Sequence, residues 1–491
     1  MRGLIPLLLA APCVVLAAPV EHAGLRLVAQ SADGGTRLAL SKAAPLPPAL
    51  VARLKIRPEL LGEEGYRAEP LLGGAPVFET GGRLSSIQGF AYVQRVLLSG
   101  DGRQALLGAG ENGALDAWRI GRDGTRERLL PRGAAAFSGV IDASADGNTV
   151  AGWLQAKAGD VPQGFLWQAG RGYRLLPEPL WLPFAVSADG ARVFGLSRRP
   201  DADTFARQGL MRSLQGPAEG DWGDAVAVSH DLKSAVGYYF VRPQSGDAAA
   251  TGSYRAWWWQ AGAGYRHSAR ALYLDEAGID DPARFSAFRK QLLALAGLGA
   301  DTTETVVSGV AQWQAGGEAR EQVADARPVL FAREGALTAW KVWQDEAWRI
   351  RLAHGDEAIA AETLAGAGFG DVYAVRASAD GRALQMLGED GKVRVRRAGK
   401  KFDLAGGLHM LGAFSPAGHY YLWPDGEGFE DRHVAWVNLQ DGARGTLAPC
   451  PLADGHYSEL ALRVGDSGRT VALGGEAGYC VYRTAFGEAS P

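Results

Sequence analysis

The chain has 491 residues, enough for two or three ordinary domains, although closed β folds run this long as one. Its 51 Lys and Arg nearly balance 54 Asp and Glu, giving a net charge of −3. No basic excess exists to neutralise phosphates, which sets nucleic acid aside as a partner.

The first element in the chain is a targeting segment. Arg2 gives a positive start, residues 4–16 are apolar, and Val15-Leu16-Ala17 supplies small-residue spacing for cleavage before Ala18. Residues 1–17 are therefore read as a signal peptide, and the mature chain as periplasmic or extracellular. The apolar run falls short of the ~20 residues a spanning helix needs, and Pro6 and Pro12 weaken it further, so no membrane span is expected. Cys13 raises a lipoprotein reading, but Pro12 before it and Val14-Val15-Leu16 after it fit a lipidation motif badly.

Ser31-Ala32-Asp33-Gly34 is a degenerate first copy of a turn, followed by a Pro-rich stretch at residues 45–48. Regular units are expected from about Val93. The clearest is residues 143–177. Ser144-Ala145-Asp146-Gly147 is a turn sequence: Ser and Asp bond their own backbone, and Gly accepts positive φ. Val140 and Ile141 before it, with Thr149, Val150 and Ala151 after it, make a hairpin. Phe165, Leu166 and Trp167, a Gly170-Arg171-Gly172 turn and a second arm from Tyr173 make another. The turn recurs at Ser99-Gly100-Asp101-Gly102, Ser187-Ala188-Asp189-Gly190, Ser229-His230-Asp231 and Ser378-Ala379-Asp380-Gly381. From Ser99 to Ser229 the spacing is about 42–45 residues, with four strands per unit, which is the signature of a propeller blade. A lone blade cannot bury its faces; a closed ring of blades can. The fold expected is an all-β propeller of seven or eight four-stranded blades, eight preferred, in one domain over residues 18–491.

The pattern V-S-x-D-G-x-x-V-x-G, followed by an aromatic-x-W arm and a Gly turn, resembles the HAF-type extracellular repeat of bacterial secreted proteins. Seven to nine units cover most of the mature chain, best at residues 144–176 and 187–195. The family's Ala-Phe pair is kept only as Gly164-Phe165, Leu232 follows Asp231, and Ser415-Pro416-Ala417-Gly418 lacks the Asp. The resemblance implies secretion and a β-rich repeat fold, and carries no activity. The turn also resembles the Asp-box of sialidase propellers, whose aspartate is structural. Asp101, Asp146, Asp189, Asp231 and Asp380 are accordingly assigned to the turns and not to catalysis.

Trp257-Trp258-Trp259-Gln260-Ala261-Gly262 nearly copies the second hairpin. Aromatic platforms hold sugars, but alternation along a blade strand sends these rings into the packing between blades. Residues 268–298 then break the pattern. Asp281-Pro282 is a helix cap followed by Pro at the first helical position, and Phe285, Phe288, Leu292 and Leu295 fall at helical spacing before Gly297. This helical insertion is expected to pack those four residues on the propeller. A late repeat follows at Gly299-Ala300-Asp301. In residues 325–377, Trp340, Trp343 and Trp348 suggest strands and residues 357–364 a helix. The final unit is short by one strand, which residues 24–40 are expected to supply in closing the ring.

Export leaves Cys450 and Cys480 as the two cysteines of the mature chain, read as one disulfide, with two buried thiols as the alternative. The search for chemistry yields turns. Gly108-Ala109-Gly110-Glu111-Asn112-Gly113 matches a dinucleotide fingerprint, but a strand and not a helix follows it. Gly465-Asp466-Ser467-Gly468 resembles a protease nucleophile stretch, yet it occupies the repeat's turn slot. Asp275-Glu276 and Asp280-Asp281 lack calcium-loop spacing. No cofactor, metal or catalytic residue is therefore assigned. The function expected is a non-enzymatic, monomeric binding scaffold for a protein or cell-envelope glycan. The rival is a polysaccharide hydrolase or lyase with carboxylates at a central channel.

Overall fold

A closed series of stacked sheets buries the alternating side chains of short strands on both faces. The computed structural model shows that arrangement, as an eight-bladed β-propeller. It describes residues 18–45, 72–110, 114–158, 160–197, 202–214, 221–241, 252–267, 272–275, 282–295, 297–298, 309–324, 326–333, 337–344, 347–354, 357–359, 372–388, 393–397, 399–404, 412–425, 433–453, 460–475 and 477–484. The signal peptide assigned to residues 1–17, the late turn at residues 299–301 and the acidic stretch at 276–281 lie outside them.

Each blade is a four-stranded antiparallel sheet whose first strand is innermost. The inner strands of blades 1 to 8 are Leu25–Gln30, Tyr92–Leu98, Phe137–Ala143, Leu180–Val186, Ala326–Phe331, Val372–Ala377, Ala413–Phe414 and Ala461–Val464. Blade 1 thus begins at Leu25, well before the start expected near Val93. Blade 8 has three strands of its own, and Val20–Ala23 from the other end of the chain adds the fourth by pairing with Gly478–Arg483. The closing strand is shorter and earlier than expected, because residues 25–45 are already the first hairpin of blade 1.

Apolar clusters fill the gaps between successive blades. Leu38 and Leu40 face blade 2, whereas Ala39 between them faces blade 8. The turns also join hand to hand. The residue after the turn's first position donates its N–H to the matching carbonyl of the next blade: Asp466 to Ala32 at 2.5 Å, Ala32 to Gly100 at 2.9 Å, Gly100 to Ala145 at 2.6 Å, Ala145 to Ala188 at 2.8 Å and Ala188 to Arg333 at 3.2 Å. Blade 7 has Pro416 at this position and no N–H to give.

The ring passes from the turn of blade 4 at Ala188 directly to that of blade 5 at Arg333. It bypasses the unit at Ser229. Residues 198–308 are an insertion between the second strand of blade 4, Arg192–Ser197, and its third, Gly309–Gln314, which pair along their whole length. The insertion holds its own sheet, with strands Asp221–Val228, Ser234–Val241, Ser253–Gln260 and Gly264–His267 in that order and Tyr273–Asp275 added beside the third. Two helices cover its faces: α1, Ala202–Ser213, and α2, Pro282–Leu295. Leu210, Met211 and Leu214, in α1 and just after it, pack with Tyr239 and the fully buried Trp257. Leu292 and Leu293 of α2 pack with Val236, Ala256 and Trp258 on the other face.

Three expectations change here. The unit at Ser229 is a blade by local sequence but stands outside the ring. Helix α2 packs on this inserted sheet and not on the propeller, with Phe288 and Leu292 buried, Phe285 against Tyr238, and Leu295 exposed at 42% while Leu293 is buried in its stead. Trp257 is buried under α1 and the half-buried Trp258 packs with α2, where neighbouring blades were expected. A fourth change lies in blade 5: residues 357–359 form its outer strand where a helix was expected, while Trp340, Trp343 and Trp348 do stand in strands.

Candidate channel site

The turns are built from their side chains. In the five assigned turns, as in the blade 1 turn where Ser31 gives to Asp33 at 2.6 Å, the Ser hydroxyl donates to the Asp: Ser99 to Asp101 at 2.7 Å, Ser144 to Asp146 at 2.6 Å, Ser187 to Asp189 at 2.5 Å, Ser229 to Asp231 at 2.6 Å and Ser378 to Asp380 at 2.5 Å. Each carboxylate also accepts the backbone N–H two residues on, as Asn148 gives to Asp146 at 2.9 Å. The same Ser oxygen accepts the N–H that opens the second strand, as from Thr149 at 2.9 Å. The Ser hydroxyl, then the backbone N–H, hold Asp189 and Asp231 below the usual carboxylate range. At Asp101 and Asp146 burial acts upward, and the same hydrogen bonds together outweigh it. All five aspartates are thus engaged within their own turns.

The inner strands border the axis, and their content defines the candidate site. Five carry an arginine: Arg26, Arg95, Arg327, Arg376 and Arg463 in blades 1, 2, 5, 6 and 8. One carries a carboxylate, Asp142 in blade 3. Six of these strands contain a one-residue bulge, placed between Leu27 and Ala29, Val93 and Arg95, Val140 and Asp142, Pro183 and Ala185, Pro328 and Leu330, and Val372 and Ala374. A bulge bends a strand and frees backbone groups that side chains then meet. Arg463 donates to the carbonyl of the bulged Val28 in the next blade at 3.1 Å. Arg376 likewise donates to Gly412 of the next blade at 2.8 Å. The residue as a whole is exposed, yet burial of its guanidinium lowers its pKa from the ordinary arginine value.

Asp142 is nearly buried and joins three blades. One oxygen accepts the N–H of Val186 in blade 4 at 2.8 Å, and the other pairs with the guanidinium of Arg333 on the turn of blade 5. Sequence reasoning missed this lock because its partners are 191 positions apart. The one local signal was an acid two residues before Ser144, where other blades have Ala, Leu or Arg.

The remaining sequence motifs sit away from the axis or within turns. Gln104–Gly110 and Asp116–Gly121 are both strands, so the glycine-rich stretch at residues 108–113 lacks the helix that a dinucleotide would need. Gly465-Asp466-Ser467-Gly468 is the turn of blade 8, and Ser467 accepts the N–H of Arg469 at 3.3 Å. Cys450 and Cys480 are joined in a disulfide with Cα atoms 5.7 Å apart, fastening the linker before blade 8 to the strand that receives the N-terminal segment. Among the described residues, no three His, Cys, Asp or Glu gather as a metal site would require, and no helix is long and apolar enough to cross a membrane.

No family model matches the chain, and no curated protein matches it. Solved propellers are similar in fold alone. The Dos1 propeller aligns over 95% of this chain and 94% of its own, with TM-score 0.43 and 8% identity. An oligogalacturonate lyase from Vibrio parahaemolyticus aligns over 80% and 89%, with TM-score 0.38 and 9% identity. The C-terminal WD40 domain of Sif2 aligns over 96% and 99%, with TM-score 0.37 and 10% identity. The blade assignment rests on this chain's own strand order.

Proposed function

We propose that the chain is an exported binding propeller of the HAF-type repeat class, which holds a cell-envelope glycan at its channel without transforming it. The state of Asp142 carries this reading. Glycoside hydrolysis needs two carboxyl groups about 5–10 Å apart, one to give a proton and one to attack or activate water. The inner strands offer a single carboxylate, and both its oxygens are committed to Val186 and Arg333. A group so bound is an anchor between blades. The disulfide supports the exported location, since such bonds persist in oxidising compartments.

The test is Asp142→Asn in the full chain, assayed on the glycan it retains. The amide keeps one acceptor, so binding should survive while thermal stability falls. Turnover of a polysaccharide by the parent chain, abolished by this substitution, would overturn the reading in favour of the hydrolase.

A further inference from the structure

Resting on that glycan-binding reading, we infer that the channel selects an acidic glycan, one carrying carboxylate groups in succession along its length. The inner strands of a propeller are the one set of strands that every ligand in the channel must pass. Here they carry five arginines and one carboxylate, and that carboxylate is already paired. The chain as a whole has more acids than bases. The cationic excess is therefore a property of the axis and not of the composition. A lined cleft of one sign focuses field and concentrates ligand of the other sign.

Arg95 is buried, and the other four cations stand in two tiers. Arg376 and Arg463 lie two residues before their turns, near one mouth. Arg26 lies five residues before Ser31, as Arg327 does before Ala332, toward the other mouth. Three residues of strand separate the tiers by roughly 10 Å. A single small anion meets one tier; an extended chain with repeated charges meets both. Arg26 is half-buried and makes no hydrogen bond or ion pair with any described residue, and Arg376 is exposed with one backbone acceptor. Arginine binds carboxylates with two parallel N–H donors, which favours recognition of planar acid groups over diffuse attraction.

The experiment measures anisotropy of a fluorescein-labelled polyuronate oligosaccharide against the full chain at low and high salt, beside a neutral dextran oligosaccharide and poly-glutamate of similar length. The polyuronate should bind and weaken with salt, and the dextran should not bind. Arg26→Glu should weaken binding about tenfold, and Arg26→Lys should weaken it by a smaller but clear factor, since lysine keeps the charge and loses the two parallel donors. Arg376→Gln should weaken it by a similar factor, with near-UV circular dichroism checking that both variants keep their packing. Equal binding of dextran would overturn the inference and leave glycan binding standing. Equal binding of poly-glutamate would overturn the glycan class. Unchanged affinity in both variants would remove the ligand from the channel. Shortening of the polyuronate would overturn the non-enzymatic reading while charge selection stood. No binding of any probe would overturn both.

Discussion

Excising residues 198–308 should leave the propeller folded. Ser197 and Gly309 are paired partners on neighbouring strands of blade 4. An Asn-Gly dipeptide between them makes the tight turn that such a pair accepts. The insertion's two apolar clusters contain only its own residues, so among the described residues no blade interface loses an apolar side chain. The connection shortens from on the order of a hundred residues to two. At about 0.6 kcal/mol per doubling of loop length, closure becomes easier by up to about 3–4 kcal/mol if the insertion unfolds with the ring. If it stays folded as a tether, the gain approaches zero. The melting temperature of the ring should therefore hold or rise by a few degrees. Both described helices belong to the insertion, so far-ultraviolet circular dichroism should lose its helical component and keep its β signal. A shortened chain that aggregates, or that melts without cooperativity, would refute the claim that the ring closes from blade 4 to blade 5.

Four further outcomes rest on the same geometry. Gly190 has φ of +71°, and a Cβ there would meet Thr149 Oγ1 of the preceding blade at 2.4 Å; Gly190→Ala should cost more than about 2 kcal/mol in chemical denaturation, from left-handed strain plus overlap. Leu232 fills the equivalent turn position of the inserted sheet at φ 58°, outside the ring, so Leu232→Gly should change stability by less than about 1 kcal/mol as strain relief offsets lost packing. Arg333→Ala leaves the buried Asp142 carboxylate without its cation and should cost about 2–3 kcal/mol, reduced from the cost of a fully buried pair because Arg333 is partly exposed. In acid, Asp101, Asp146 and Asp189 have folded pKa values below their unfolded ones, so their stabilisation is full above the unfolded value of 3.8 and is lost as pH falls below it through the folded values. Denaturation midpoints that stay flat between about pH 5 and about pH 2 would contradict the turn assignment.

The blade was legible because its evidence is local. Ser144, Asp146 and Gly147 form a turn whose hydrogen bonds run within six residues, and Trp167 marks the strand that follows. Ring membership is not local, and there the local evidence misled. Residues 221–267 have the turn, the bulged first strand and the tryptophan arm of a blade. What decides their place is that blade 4 finds its third strand beyond them. Trp313-Gln314-Ala315-Gly316 repeats Trp167-Gln168-Ala169-Gly170 and could have shown this. Leu232 was a second sign. A turn glycine in the ring is needed both for its φ and for the neighbour pressed against it, as Gly102 is by Thr36 and Ser31. A leucine is tolerable only where that neighbour is missing. The channel was less legible still. Arg26, Arg376 and Arg463 are unremarkable in sequence, and become a set only when their strands stand around one axis.

One measurement tests directly whether the channel holds an acidic glycan without cutting it. The full chain is incubated with a polyuronate of defined length, and the polymer is recovered and sized by mass spectrometry while bound ligand is counted in parallel. Saturable binding and a polymer returned at its original mass are expected. A ladder of shorter products, formed in excess over protein and absent in the Asp142→Asn variant, would contradict it.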